Sequence, residues 1–82
     1  MNEQVTGKVI SNPVTVGEIC FFLIENSDEK FLVISRGMQS VKDNIFIKEG
    51  QLLKSSGMLI DIKNIHGILI PESSVIELKK SN

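Results

Sequence analysis

The sequence GEICFFLIENSDEKFLVISRGMQSVKDNIFIKEGQLLKSSG, residues 17–57, decides the fold class expected for this chain of 82 residues. Two apolar runs rich in strand-forming residues, Ile19 to Ile24 and Phe31 to Ser35, are separated by the polar link ENSDEK. This pattern predicts an antiparallel β-hairpin. The length of the polar link indicates a loop rather than a tight two-residue turn.

The residues that follow predict a short helix and a further strand. Met38, Val41 and Ile45 are spaced three and four apart with polar residues between them, which is typical of one or two helical turns laid across a sheet. A turn at residues 48–51 leads into another apolar run, which is broken by Gly57. Two strands, a helical connection and a glycine-broken strand are typical of the middle of a small Greek-key barrel.

The flanking segments supply the strands that would close this barrel. Residues 5–11 predict a first strand with Gly7 at a bend, and residues 68–78 predict a last strand with a break or bulge near Pro71. Gly67, just before that strand, is expected to have a positive φ. The predicted fold class is therefore all-β: one five-stranded Greek-key barrel, with one short helix between strands 3 and 4. The core of this single domain spans about residues 5–78, and the termini are expected to be flexible.

The composition supports a small soluble β protein. Apolar residues make up 41% of the chain and charged residues 23%, and Val, Ile and Phe are plentiful while Ala is absent. The longest apolar run has six residues, far fewer than the roughly 20 that a transmembrane helix needs, and the N-terminus has no signal-peptide pattern. We therefore expect a cytoplasmic protein with no membrane association. Its single cysteine, Cys20, is expected to be buried in a strand.

The net charge of −1 limits how this chain could bind nucleic acid. A protein that binds mainly by neutralising phosphates usually carries a clear excess of Lys and Arg. Here nine Lys and Arg face ten Asp and Glu, so any such role must depend on an uneven distribution of charge.

Several segments resemble the bacterial single-stranded DNA-binding proteins. The features in common are a glycine-bearing first strand, a Phe-Leu-Asn pattern in the second, and a third strand, helix, basic-glycine turn and glycine-containing fourth strand in that order. The segments are VTGKV (5–9) with Pro13, FFLIEN (21–26), FLVISRG (31–37), KEGQLL (48–53) and GML (57–59). The resemblance covers roughly residues 5–78 and implies an OB-fold that binds single-stranded DNA. The small primosomal replication proteins of the same superfamily, which act as dimers, are the nearest in size.

The chain also departs from this family. It has no Trp or Tyr, and it ends in KKSN rather than in an acidic tail that recruits partner proteins. Alignment on Gly37 places the family's third-strand stacking positions at Lys30 and Arg36. Base stacking on aromatic rings is therefore expected to be sparse.

The candidate binding residues follow from the resemblance and from strand parity. Lys30 and Arg36 fall on one face of the third strand, where Arg36 could stack on a base or hydrogen-bond a phosphate. Phe22 is the predicted stacking residue of the second strand, because Phe21 and Leu23 have the opposite parity and are assigned to the core. The alternative for Phe22 is a subunit interface.

Four further residues complete the predicted nucleic-acid-binding set. Lys8 on the first strand and Lys54 on the fourth could extend a basic stripe, and Lys63 lies at the end of the fourth strand. His66, the only histidine, is expected in a surface loop, with a phosphate or base contact as a minor role. No residue pattern predicts a catalytic group, a metal site or a cofactor.

Two hypotheses of function remain open on the sequence. The first is a non-enzymatic OB-fold protein that binds single-stranded nucleic acid, DNA or alternatively RNA, as a homodimer with an accessory role in replication, repair or recombination. Its partners would include replication or repair proteins. The second is an OB-fold accessory subunit whose apolar face binds a partner protein and which has little affinity for nucleic acid.

Overall fold

The computed structural model describes residues 3–62 and 65–77. Met1, Asn2, Lys63, Asn64 and residues 78–82, which include most of the predicted flexible termini, lie outside the described residues. The elements, in chain order, are β1 (Glu3–Val9), β2 (Val14–Val16), β3 (Ile19–Asn26), β4 (Glu29–Arg36), α1 (Gly37–Phe46), β5 (Leu52–Ile62) and β6 (Ile65–Glu77).

Five of the strands form a closed barrel. The order in the sheet is β1-β5-β6-β4-β3-β2, and β1 also pairs with β3, which joins the two sides of the sheet. All neighbours are antiparallel except β4 and β6, which are parallel. With α1 between the third and fourth barrel strands, β4 and β5, this is the predicted Greek-key OB-fold.

The short strand β2 is additional to the five predicted strands. It pairs with the first residues of β3 across a turn in which Gly17 has a φ of 62°. Because β2 pairs only with β3, it widens the sheet beside β3 without taking part in barrel closure.

The core fills the barrel with alternate side chains from all five barrel strands. Its members are Val5, Val9, Phe22, Ile24, Val33, Leu53 and Leu69, together with Ile47 after α1. Phe31, Leu59 and Ile76 pack against this cluster. The closed barrel therefore buries one face of each strand and leaves the other face outside.

Two glycines allow strands to approach closely where the barrel bends. A Cβ on Gly7 would lie 2.9 Å from the carbonyl oxygen of Glu25 on β3, and a Cβ on Gly57 would collide with the carbonyl oxygen of Ile70. The register of β5 against β6 shifts between Ser56 and Gly57. The break predicted near Pro71 is thus a bulge in one continuous strand.

The helix α1 forms in the predicted place, but the apolar residues whose spacing predicted it do not face the sheet. Met38, Val41 and Ile45 are exposed, whereas Ser40 and Asp43 are buried. The reason is a polar contact with the sheet: the carboxylate of Asp43 accepts hydrogen bonds from Ser35 Oγ on β4 and from Gln39 Nε2, each 2.8 Å long. The side of α1 that faces the barrel is therefore polar, and the apolar Ile47 directly after the helix lies in the barrel core.

This contact places a titratable group in a buried position. Burial raises the pKa of the Asp43 carboxyl, and the hydrogen bonds from Ser35 and Gln39 offset part of that rise. Burial also raises the pKa of the Cys20 thiol; a hydrogen bond with Thr15 opposes the rise, and the charge of Asp43 adds to it. Cys20 is fully buried, as expected.

Candidate nucleic-acid interface

The outer face of β3 and β4 is the surface on which the sequence placed its main candidates. Along this face the pairs across the two strands are Ile19 with Arg36, Phe21 with Ile34, Leu23 with Leu32 and Glu25 with Lys30. Lys30 and Arg36 are exposed, while Phe21, Leu23, Leu32 and Ile34 are half-buried. Lys30 and Arg36 thus lie on the same outer face of β4.

The orientation predicted for Phe22 is wrong. Phe22 is 1% exposed and belongs to the barrel core, so its ring is closed to any ligand. The polar link between β3 and β4 is a two-residue turn at Ser27 and Asp28, with Ser27 at a φ of 56°, rather than the longer loop expected. That turn pairs Glu25 with Lys30, and directly opposed residues share one face of a sheet. Lys30 is exposed, so Glu25 and the other odd-numbered residues of β3 lie on the outer face.

Phe21 therefore takes the position that the sequence analysis assigned to Phe22. It lies between Val14 of β2 and Ile34 of β4, on the outer face. The sequence contains one signal for this arrangement. Glu25 has the same parity as Phe21, and a charged residue at the end of a strand usually faces solvent. Both faces of β3 are apolar, so parity alone did not distinguish them.

The apolar surface continues from β4 onto β6, which runs parallel to it, and then onto β5. Met58 of β5 lies opposite Ile70 of β6, and both are exposed on the outside of the barrel. Between β3, β4 and β6 lies a shallow cavity of about 280 Å³, lined by Ile19, Ile34, Ser35, Arg36 and Ile70. We call the outer residues of this surface the apolar strip: Ile19, Phe21, Leu23, Leu32, Ile34 and Ile70.

Lys30 and Arg36 lie at the two ends of the apolar strip on β4. Six residues along a strand correspond to about 20 Å. Glu25 lies directly opposite Lys30. The paired residues on this face of the β3–β4 hairpin therefore include two cations, Lys30 and Arg36, and one anion, Glu25. The chain's neutral balance is thus compatible with a mildly basic face.

The other two predicted lysines that the structure describes are Lys8 and Lys54, on β1 and β5, and Lys8 lies directly opposite Glu25 at the edge of the β3–β4 face. Lys8 pairs with Glu25 of β3 and with Leu52 of β5, so it stands where these two sides of the barrel meet. Lys54, two residues after Leu52, pairs with Thr6 of β1 and is half-buried. These lysines are neighbours of each other, but the closing barrel separates Lys54 from the β3–β4 face.

For the last two predicted residues, Lys63 and His66, the structure describes no side-chain position. Lys63 lies outside the described residues. His66 belongs to the strand β6 rather than to the expected loop, and its side chain lies outside what the structure describes.

The described segments contain neither a metal-binding cluster nor a membrane-spanning helix. Within residues 3–62 and 65–77, no group of three or more His, Cys, Asp or Glu residues is placed to hold a metal ion. In the same part of the chain, no helix has the length and apolar character required to cross a bilayer.

Comparison with known proteins connects this barrel to single-stranded DNA-binding proteins of solved structure. No family model matches the sequence, and no curated protein matches it. The second single-stranded DNA-binding protein of Mycobacterium smegmatis is similar in structure, with a TM-score of 0.84 and 14% identity over 99% of this chain and 96% of that chain. The small single-stranded DNA-binding protein of Streptomyces coelicolor gives a TM-score of 0.77 and 12% identity over 95% and 93% of the two chains. The shared feature at these identities is the fold, an OB-fold over nearly the whole chain.

Proposed function

We propose that this protein binds single-stranded nucleic acid, DNA in the first place, on the outer face of β3 and β4, and that it does so without catalysing a reaction. The observation that carries the proposal is the apolar strip with a cation at each end of its β4 side, Lys30 and Arg36. The similarity of the whole barrel to two single-stranded DNA-binding proteins supports it.

In this proposal the bases contact the apolar strip. Unpaired bases expose apolar faces, which lose contact with water when they lie on Phe21 and the Ile and Leu side chains around it. A duplex keeps its base faces stacked inside the helix, so the same surface discriminates against double strands. One phenylalanine offers less stacking than several aromatic rings, and the affinity per subunit is correspondingly modest.

The phosphates contact the two ends of β4. Arg36 is exposed beside the 280 Å³ cavity, where its planar guanidinium can form two hydrogen bonds to a phosphate next to a base held by Ile34 and Ile70. Lys30, about 20 Å away, contributes a second point charge. This span matches the lower end of the roughly 4–16 nucleotides that one OB-fold binds.

The biological setting belongs to the same proposal. We assign the protein an accessory role in DNA replication, repair or recombination, in the cytoplasm, acting as a homodimer together with replication or repair proteins. Two linked subunits would raise the apparent affinity of a weak site, because the second contact becomes intramolecular. RNA is the alternative ligand, since the apolar strip contacts base faces that DNA and RNA share.

A second function is favoured by a different observation. The exposed apolar residues of α1 and the net charge of −1 suit an OB-fold subunit that binds a protein and has little affinity for nucleic acid. The two functions predict opposite results in a binding experiment.

Fluorescence anisotropy of labelled oligo-dT and of a duplex of equal length, at low and moderate salt, separates them. Our proposal predicts that oligo-dT binds more tightly than duplex and that binding weakens as salt rises. The absence of any oligo-dT signal up to about 100 µM protein would favour the protein-binding subunit.

A further inference from the structure

The short strand β2 lies at an edge of the sheet. Within the described part of the chain it pairs with β3 alone, so its other side has no neighbouring strand. Val14 and Val16 are 51% and 62% exposed, and Thr15 between them is exposed as well. An edge strand with accessible backbone groups can pair with another extended chain.

The register of the β2–β3 hairpin shows which backbone groups face this edge. Val16 and Ile19 flank a two-residue turn, and the residues that flank such a turn form a hydrogen-bonded pair. Hydrogen-bonded and non-hydrogen-bonded pairs alternate along antiparallel strands, so the next pair, Thr15 with Cys20, is of the second kind. The N–H and C=O of Thr15 therefore point away from β3, toward the free edge.

A groove lies on the side of β2 that faces α1. Its volume of about 550 Å³ is within the range of about 300–1,000 Å³ that is typical of ligand pockets. Val41 and Ile45 of α1, each more than half exposed, form its apolar wall. Thr15 lines it from β2, and the Thr15 hydroxyl donates a hydrogen bond to Asn44 Oδ1 at 3.0 Å. The Thr15 side chain thus points to the groove, as would that of any residue paired with Thr15 on an added strand.

We propose that β2 and this groove bind an extended peptide segment of a partner protein, which pairs with Thr15 as an additional strand of the sheet. In this mode of recognition, backbone hydrogen bonds supply affinity and alternate side chains supply specificity. Side chains of one parity enter the groove against Val41 and Ile45, so they are apolar. The inference does not depend on the proposed nucleic-acid binding.

The charge of the groove defines the partner segment further. Among the described residues that line the groove, Glu18 alone is charged. Glu18 follows the C-terminal end of β2, so in an antiparallel pairing, the more stable arrangement, it lies near the N-terminal end of the bound segment. The partner segment therefore has a Lys or Arg before its alternating apolar residues.

A second copy of this chain fits the groove less well. If the β2 strands of two copies paired, the side chains with the parity of Thr15 would be those of Pro13, Thr15 and Gly17, and none of these is a large aliphatic group. Residues 10–13, which would then lie near Glu18 in an antiparallel pair, contain no cation. A segment of a different protein is the better occupant.

Fluorescence anisotropy with a synthetic peptide tests the proposal without any nucleic acid. The probe is the acetylated octapeptide KSVTITVS, labelled at its C-terminus, in which the Lys, Val and Ile side chains share one parity. We expect a dissociation constant below about 300 µM. The matched control peptide has the same sequence but is N-methylated at its Val and Ile residues, which removes the backbone donors that pair with Thr15. It should bind at least about tenfold more weakly.

Two variants of β2 test the same contact from the protein side. Thr15→Pro removes the backbone N–H at the edge and should weaken probe binding at least about tenfold, since Pro is tolerated on an edge strand whose N–H faces solvent. Thr15→Val is the matched control, because it also loses the hydrogen bond to Asn44 but keeps the N–H. It should bind the probe within about twofold of wild type. Circular dichroism verifies that both variants are folded.

The charge preference has its own test. Glu18→Lys should weaken binding of KSVTITVS and strengthen binding of ESVTITVS, in which Glu replaces the Lys. Failure of this exchange would overturn the basic character assigned to the partner segment.

Three results would overturn the proposal itself. The first is a dissociation constant above about 1 mM for the probe, and the second is equal affinity for the N-methylated peptide, which decides alone if Thr15→Pro does not fold. The third comes from sedimentation equilibrium. If Thr15→Pro, but not Thr15→Val, dissociates a wild-type dimer, a second copy occupies this edge.

Discussion

Glu25 of β3 lies directly opposite Lys30 of β4, and this pair determines which face of the hairpin meets solvent. Because the residues of a strand alternate between faces, the position of Glu25 outside places Phe21 outside and Phe22 in the core. A shift of one residue would exchange the two rings and leave two opposed charges in the core. The candidate interface therefore depends on the two-residue turn at Ser27 and Asp28.

Phe22 and Phe21 are expected to differ strongly in their effect on stability. Phe22→Ala removes a fully buried ring and should lower the free energy of unfolding by about 3–5 kcal/mol. Phe21→Ala removes a half-buried ring and should cost clearly less, about 1–1.5 kcal/mol. Urea unfolding followed by circular dichroism measures both, since the chain has no Trp or Tyr.

If Phe22→Ala does not fold, Phe22→Leu and Phe21→Leu give the same comparison with smaller losses. Equal losses for the two positions, or a larger loss at position 21, would contradict the register described here.

Asp43 is expected to make stability depend on pH. Its pKa is raised by burial, so the folded chain holds the proton more tightly than the unfolded chain does. The contribution of Asp43 to the free energy of unfolding is therefore fully present below the unfolded pKa and is lost as pH rises through the folded pKa. Asp43→Asn should remove this dependence.

The experiment compares wild type and Asp43→Asn by urea unfolding at several pH values between about 4 and 7. The stability of wild type relative to the variant should fall as pH rises. At neutral pH, Asp43→Ala should cost about 1–3 kcal/mol, because Ser35 and Gln39 lose their acceptor. A difference between wild type and Asp43→Asn that is constant over this range would contradict a raised pKa for the Asp43 carboxyl.

Arg36 is expected to contribute more to binding than its charge alone. Arg36→Ala should weaken oligo-dT binding by about 1–2 kcal/mol, roughly 5- to 30-fold, and reduce the salt slope by about 0.7. Arg36→Lys keeps the charge but loses the planar guanidinium, so it should retain the salt slope and recover only part of the affinity.

Lys48→Ala is the matched control, because Lys48 is an exposed cation in the segment between α1 and β5, outside the apolar strip. Equal losses from Arg36→Ala and Lys48→Ala would indicate that binding reflects overall charge and would remove Arg36 from the site.

The sequence was sufficient to predict the architecture of the barrel. The strand positions, the helix after Gly37, the bulge near Pro71 and the positive φ of Gly67 all follow from local signals, such as apolar runs, glycines and turn residues. Each of these signals reflects the backbone conformation of only a few consecutive residues, so it can be recognised in the sequence alone. The order of the elements then limits the topology to a Greek-key barrel.

The faces of two elements could not be predicted in the same way. Both parities of β3 are apolar, and the pairing that decides between them depends on Ser27, a non-glycine residue with positive φ that gives little sequence signal for a tight turn. In α1 the spacing of Met38, Val41 and Ile45 would normally indicate a buried side. Here the hydrogen bond between Asp43 and Ser35, eight residues apart, turns the polar side of the helix toward the barrel. The first error arises from a local turn that has little sequence signal, and the second arises from a tertiary contact.

The central claim is that single-stranded nucleic acid binds on the outer face of β3 and β4. The most direct measurement is an amide ¹H–¹⁵N NMR titration of the 82-residue chain with oligo-dT. The account predicts that the largest shift changes follow the apolar strip and its ends, at Phe21, Ile34, Arg36 and Ile70, with little change along α1. An absence of shift changes with excess oligo-dT, or changes confined to α1 or to the wall formed by β1 and β5, would contradict it.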